Sequence, residues 1–192
     1  NPGVKEFVIS PRFTKCAGFS AEGYAPVYDS KTKEFYLIDI KGEKLETEVK
    51  GFRLYEILGF GLKGFSDGFA AVELDEKWGF INTSGKLAVA ATFDKVTPFS
   101  SGFASGLKDG KFFVIDKQGK EIPLEIQGLK DVDRFSEGLA TFKGVDGVGY
   151  IDGSGKEVIG ARFLSGGEFV DGIAWAKDKS EKVGYIDTKG EG

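Results

Sequence analysis

A chain of 192 residues with 26 basic and 30 acidic side chains carries a net charge of −4, with Lys and Glu scattered singly, so no basic stripe exists to hold nucleic acid. The absence of His and the single Cys16 exclude Ser-His-Asp and Cys-His catalysis, His-containing zinc sites and thiolate metal clusters. No apolar run approaches the roughly 18 residues of a membrane helix and no signal peptide is recognisable. With no Met, residue 1 is not an initiator, and the chain is expected to be processed or part of something longer.

Gly at 29 copies and Phe at 18 favour short strands joined by tight turns over helices, whose interiors Gly destabilises by about 1 kcal/mol against Ala. After an extended start over residues 3–13, one phrase organises the chain: an aromatic, usually Ser, any residue, Gly, an apolar residue, then Ala. It occurs at residues 19–25 (with one extra residue), 65–70, 99–104, 135–140 and 169–174. A second phrase follows each copy, Ile then Asp or Asn, two residues, then Gly, at residues 38–42, 81–85, 115–119, 151–155 and 186–190. Starts at 19, 65, 99, 135 and 169 give steps of 46, 34, 36 and 34, a period at which sequences build solenoids, propellers or arrays.

The second copy shows what one repeat builds. Residues 69–74 have strand composition with Ala70, Val72 and Leu74 on one face, and a polar turn at Asp75-Glu76 leads into a second strand over 77–81. Asn82-Thr83-Ser84-Gly85 reads as a turn, in which the Asn side chain accepts backbone N–H bonds and Gly supplies positive φ. A third strand is predicted at 87–89 and a fourth around Lys95-Val96-Thr97, running into Phe99. The recurring Ala (25, 70, 104, 140, 174) marks a position packed tightly, the recurring Phe the core plug of each repeat, and Cys16 a small, semi-buried apolar residue without chemistry. The longer first step contains an insertion within residues 43–64, where residues 52–58 suggest an elongated hairpin.

The chain is therefore expected to be all-β, one domain over 1–192 built from five tandem antiparallel β-repeats of about 35 residues. The approximate units are 14–44, 45–89, 90–124, 125–159 and 160–192 plus 4–13. The start, Gly3-Val4-Lys5-Glu6-Phe7-Val8-Ile9-Ser10-Pro11-Arg12-Phe13, resembles residues 155–163, the strand that follows the fourth Asp-x-x-Gly turn. Pairing of residues 4–9 beside 183–187 would complete the last unit and close a five-bladed propeller, removing exposed sheet edges; an open array or solenoid is the alternative.

Lys77-Trp78-Gly79-Phe80-Ile81-Asn82 followed by Gly85-Lys86, with the neighbouring Phe-Ser-x-Gly-x-Ala frame, resembles the WG (or KWG) repeat family of bacterial proteins over nearly the whole chain. The Trp-Gly pair itself occurs once; Phe35-Tyr36, Phe112-Phe113, Val148-Gly149 and Val183-Gly184 stand at the same place, which makes it a packing position. The order of strand, Asp-x-x-Gly turn and strand also resembles the blades of quinoprotein-type propellers. The resemblance implies a binding or scaffolding repeat, often in envelope or secreted bacterial proteins, with no catalytic motif to carry over.

Residues 59–64 match Gly-x-Gly-x-x-Gly without the βαβ context that dinucleotide binding requires, and Asp-rich turns such as 152–155 lack the spaced ligands of a calcium loop. No catalytic residue, metal or cofactor is expected. Candidate binding residues are those that depart from the repeat: Trp175, where sister copies carry Ala71, Ser105 and Thr141, together with Arg53, Tyr55 and Arg134; Arg162 is a further departure. Alternation with Ala174 and Ala176 turns Trp175 away from the Ala face, where it is expected to cover a neighbouring repeat or, as the alternative, to stack on a sugar or anchor a protein. The expected function is a non-enzymatic module presenting a rigid β-repeat surface to a protein or glycan. The alternatives are a structural spacer of a larger assembly or, with 30 carboxylates available, a glycosidase.

Overall fold

The computed structural model describes residues 7–192, which form antiparallel strands and no helix. The chain divides into two compact units, Asn1–Thr92 and Phe93–Gly192. In the first, β1 (Lys15–Cys16), β2 (Ala25–Asp29) and β3 (Glu34–Ile38) form one meander. A five-stranded sheet follows, built from β4 (Arg53–Ile57), β5 (Gly61–Lys63), β6 (Phe69–Leu74), β7 (Lys77–Asn82) and β8 (Leu87–Phe93) in the order β5-β4-β6-β7-β8. The second unit holds β9 (Lys95–Val96), β10 (Phe103–Lys108), β11 (Lys111–Asp116) and β12 (Glu121–Pro123) in one sheet. A second sheet is made by β13 (Asp131–Val132), β14 (Leu139–Lys143), β15 (Val148–Asp152) and β16 (Glu157–Phe163). The last contains, among the described residues, β17 (Ser165–Gly166), β18 (Ile173–Lys177) and β19 (Val183–Asp187).

Each repeat is thus a meander of neighbouring strands, and its phase differs from expectation at one point. Lys95-Val96 is not the fourth strand of the second repeat but the first of the third. Val96 pairs with Gly106, and the ladder is extended on either side by Asp94 N–H to Leu107 O and Thr97 N–H to Ser105 O. The inserted segment forms the elongated hairpin, with β4 pairing both β6, through Leu54 opposite Val72, and β5, through Glu56 opposite Leu62. The Gly-x-Gly-x-x-Gly match lies on this hairpin, where Gly59 and Gly61 have φ of 82° and 88°. The completion of the last unit expected from residues 4–9 rests in part on residues 4–6, which lie outside the described residues.

Two turns recur for stated reasons. In the four later copies the turn before each second strand puts both central residues in the left-handed region, as at Glu137 (φ 52°) and Gly138 (φ 77°), the type I′ geometry that matches the twist of a hairpin. In the Asp-x-x-Gly turns the carboxylate (or the Asn82 amide) accepts two backbone N–H bonds in every copy. Asp152 Oδ1 receives Ser154 N–H at 2.9 Å and Lys156 N–H at 3.0 Å, and Asp187 Oδ1 receives Lys189 and Glu191 at 2.9 and 3.0 Å.

Partial burial pushes the Asp152 carboxyl upward, but the Ser154 hydroxyl and the N–H groups of Lys156 and Ser154 outweigh it and hold the group below its ordinary 3.8. Because the folded value is the lower one, the stabilisation is complete above the unfolded pKa and is lost as pH falls through the folded value. Asp152→Ala is expected to lower stability by about 1 kcal/mol near neutral pH. The difference should shrink in urea melts taken at progressively acidic pH.

The core repeats with the phrases. Phe65, Ala70 and Ile81 pack together, as do Phe135, Ala140 and Ile151, and Phe169, Ala174 and Ile186. To each trio the preceding repeat adds one side chain from its third strand: Leu37, Val114 and Tyr150 respectively. Two residues depart from the sequence reading. Cys16 is exposed, because β1 is a two-residue edge strand whose side chains both face solvent. Phe19 is 47% exposed although Phe65, Phe99, Phe135 and Phe169 are buried, because no earlier repeat contributes a third-strand side chain to it among the described residues.

Candidate functional site

The candidate residues fall in different places. In the first unit, Arg53 on β4 places Nε 3.9 Å from Glu73 Oε1 and its guanidinium 5.7 Å from the Phe35 ring. It lines a groove of about 270 Å³ together with Lys33, Lys44, Lys50 and Glu34. Tyr55, two residues along the same strand, meets Trp78 edge-on at 5.4 Å. That contact makes the single Trp of the Trp-Gly pair a support for the hairpin.

In the second unit, Arg134 forms a two-pronged bond with Glu168, Nε to Oε1 and Nη2 to Oε2, both at 3.1 Å. Both partners are exposed, where such pairs contribute roughly 0–1 kcal/mol. Arg162 donates to the carbonyl of Gly190 and lies 5.0 Å over the Phe163 ring, so it closes a turn. Among the described residues no three His, Cys, Asp or Glu side chains cluster to hold a metal.

Trp175 belongs to a surface. On β18, Ala174 and Ala176 are buried while Ile173 and Trp175 are exposed, the latter by 42%. Trp175 pairs across the ladder with Tyr185 and Lys177 with Val183, so these four side chains and Ile173 share one face. Tyr185 is 70% exposed, and Val183 is exposed as well. The indole edge of Trp175 lies against Gly167, where an added Cβ would sit 2.1 Å from Nε1.

The same face is covered in every preceding repeat. Positions equivalent to Trp175 are Pro26, Ala71, Ser105 and Thr141, all buried, and those equivalent to Tyr185 are Leu37, Phe80, Val114 and Tyr150, also buried. Within the second unit the covering is direct. The Ser105 hydroxyl faces the carbonyls of Val132 and Asp133 at 3.4 and 3.5 Å, and the Tyr150 hydroxyl donates to Gly167 O at 2.8 Å. The Tyr150 ring meets Phe169 edge-on at 5.0 Å. Desolvation pushes the Tyr150 phenol up to about 12, so its contribution is whole below the ordinary value of 10 and is lost as pH rises through 12.

Sequence reasoning found Trp175 as a departure from the repeat but missed Ile173, Val183 and Tyr185. Tyr185 matches Tyr150 in type, and only the lack of a following repeat in the described chain distinguishes them. That signal was readable from the count of repeats, not from the residue itself.

Fold and surface together define an all-β protein of tandem meander repeats whose last repeat exposes an apolar face. The WG containing repeat matches residues 5–29, 61–78, 78–112 and 149–181, more than half of the chain, and the chain belongs to this family. Solved structures of similar fold are β-propeller-like. Hsv2 of Kluyveromyces lactis with its complete loop 6CD superposes with a TM-score of 0.59 at 13% identity, over 93% of this chain and 62% of its own. A eukaryotic initiation factor gives 0.59 at 11% identity over 96% and 54%, and the computationally designed protein Ika8 gives 0.53 at 18% over 92% and 58%. The chain spans less than two thirds of each of these structures, and at such identities the likeness concerns the fold alone. No curated protein matches the chain.

Proposed function

We propose that this chain is a non-enzymatic interaction module that engages a protein partner through the exposed face of its last repeat. The observation that carries this reading is the contrast between Tyr185, 70% exposed, and Leu37, Phe80, Val114 and Tyr150, buried at the same strand position. Aromatic side chains surrounded by aliphatic ones are the composition of binding anchors, and Trp and Tyr dominate such hot spots. A protein surface supplies the flat apolar cover that Leu37, Val114 and Tyr150 receive from the repeat that follows each of them. The likeness to propeller-like structures supports reading the repeats as blades, with this face as the unpartnered side of a blade.

The test is a pair of substitutions, Trp175→Ala and Tyr185→Ser. Both side chains are exposed, so the circular dichroism spectrum and melting point should stay near the parent's. Binding to a partner recovered with the parent chain should weaken at least ten-fold, the loss of a hot-spot aromatic. Undiminished binding by the doubly substituted chain would reject this face as the docking surface.

A further inference from the structure

We propose that the groove beside Arg53 in the first unit is a binding site for a small carboxylate carried on a flat ring. It uses none of the residues on the exposed face of the last repeat.

One wall stands where the repeat pattern is broken. Later repeats start 34 to 36 residues apart but the first step is 46, and Lys44, Thr47, Lys50, Phe52 and Arg53 all come from the added stretch. That stretch is fastened along its length. The Thr47 hydroxyl donates to Val49 O at 2.7 Å, Glu48 N–H to Gly85 O at 2.8 Å, and Leu87 N–H to Glu48 Oε2 at 2.8 Å. Phe52 is buried among Leu37, Leu54 and Phe65. The opposite wall is the hairpin of β2 and β3, with Tyr28, Lys33, Glu34 and Phe35. A groove between two fixed walls loses little freedom when it is filled.

The floor is aromatic and the rim cationic. The rings of Tyr28 and Phe35 lie 4.6 Å apart, tilted by 40°, and both are half-buried, so part of each faces the groove. The rim carries Lys33, Lys44, Lys50 and Arg53 in a chain of net charge −4. Their carboxylate contacts all exceed the roughly 2.7–2.9 Å of a charge-assisted hydrogen bond: Lys44 to Glu34 at 3.4 Å, Lys50 to Glu46 at 3.5 Å and Arg53 to Glu73 at 3.9 Å. Lys33 has no partner among the described residues. Four cations against three carboxylates leave one positive charge over, the complement of a single carboxylate and not of a doubly charged phosphate.

Arg53 is the group that orients such a ligand. It makes no hydrogen bond among the described residues, and its guanidinium lies 5.7 Å from the Phe35 ring. A ring lying against Phe35 therefore brings its carboxylate to the planar fork that binds carboxylates through two parallel N–H bonds. At about 270 Å³ the groove falls just below the roughly 300–1,000 Å³ of sites for drug-sized ligands, so it admits one ring and its substituents. A sugar acid and an aromatic acid share this chemistry.

Two-dimensional amide NMR spectra of the isotope-labelled chain, titrated with D-galacturonate, benzoate, D-galactose, benzyl alcohol and acetate, test the site. Galacturonate or benzoate should saturate and shift the amides of residues 33–35 and 50–53, and the tighter of the two names the source of the ring. Galactose and benzyl alcohol (rings without charge) and acetate (charge without a ring) should each bind roughly ten-fold more weakly or worse. Arg53→Gln should keep the parent spectrum away from the groove and weaken binding by roughly ten-fold or more. Arg53→Lys, which keeps the charge without the fork, should weaken it by about three-fold. Failure of both ring acids to saturate overturns the proposal. So does acetate binding as tightly as either (an adventitious ion only), or Arg53→Gln binding like the parent.

Discussion

Gly149→Val is expected to destabilise the second unit by about 3 kcal/mol or more, while the same change one repeat later, Gly184→Val, leaves stability within about 0.5 kcal/mol of the parent. The two glycines occupy one position of the repeat, in identical five-residue contexts. Their surroundings differ. A Cβ at Gly149 would sit 2.4 Å from Ile159 O and 2.8 Å from the Gly160 carbonyl carbon, both backbone atoms that no rotamer change can move. Relief requires β16 to lift away from β15, which breaks the ladder and uncovers Tyr150 and Ile159, buried together in the core of the last two repeats. At Gly184 there is open space. Urea denaturation of the three proteins by circular dichroism, compared at equal m-values, checks the contrast. Equal midpoints for the two variants would mean that β16 does not approach Gly149 as closely as 2.4 Å.

The repeat frame was legible because its constraints are local. An Asx side chain that accepts two N–H bonds within four residues, and a Gly held at positive φ, are written into any sequence that makes the turn. So the five Asp-x-x-Gly turns, the buried Ala of each second strand and four of the five Phe plugs could be placed from residues alone. The phase of the repeat was less legible. Lys95-Val96 follows β8 after one residue, and two consecutive residues of strand type carry no mark of whether they pair backward or forward; the ladder to β10 decides it. The exceptions are Cys16, on a two-residue edge strand, and Phe19, which no third-strand side chain of an earlier repeat covers among the described residues.

The candidate site was legible only where a residue broke the pattern. Trp175 stood out because its sisters are small. Arg53 and Arg134 stood out equally, yet one pairs with Glu73 and the other with Glu168, and neither lies on the exposed face of the last repeat. Tyr185 and Val183 gave no signal as residues, since the preceding repeat carries Tyr150 and Val148 at the same positions. What makes them a surface is the missing cover, and cover is a property of the neighbour.

That dependence on neighbours sets the other large effect. Phe135→Ala is expected to lower stability by about 3–5 kcal/mol, near the ceiling for an aromatic core truncation, whereas Phe19→Ala at the same place in the repeat should lower it by less than about 1 kcal/mol. Phe135 is wholly buried among Val114, Ala140 and Ile151 and its ring centroid lies 5.4 Å from that of Phe103, so truncation opens a cavity between two sheets that are each held by their own ladders. Those ladders prevent the walls from collapsing, which is the condition under which cavities are most destabilising. Phe19 is 47% exposed and has no third-strand side chain of an earlier repeat above it among the described residues. Urea midpoints in the single chain measure both.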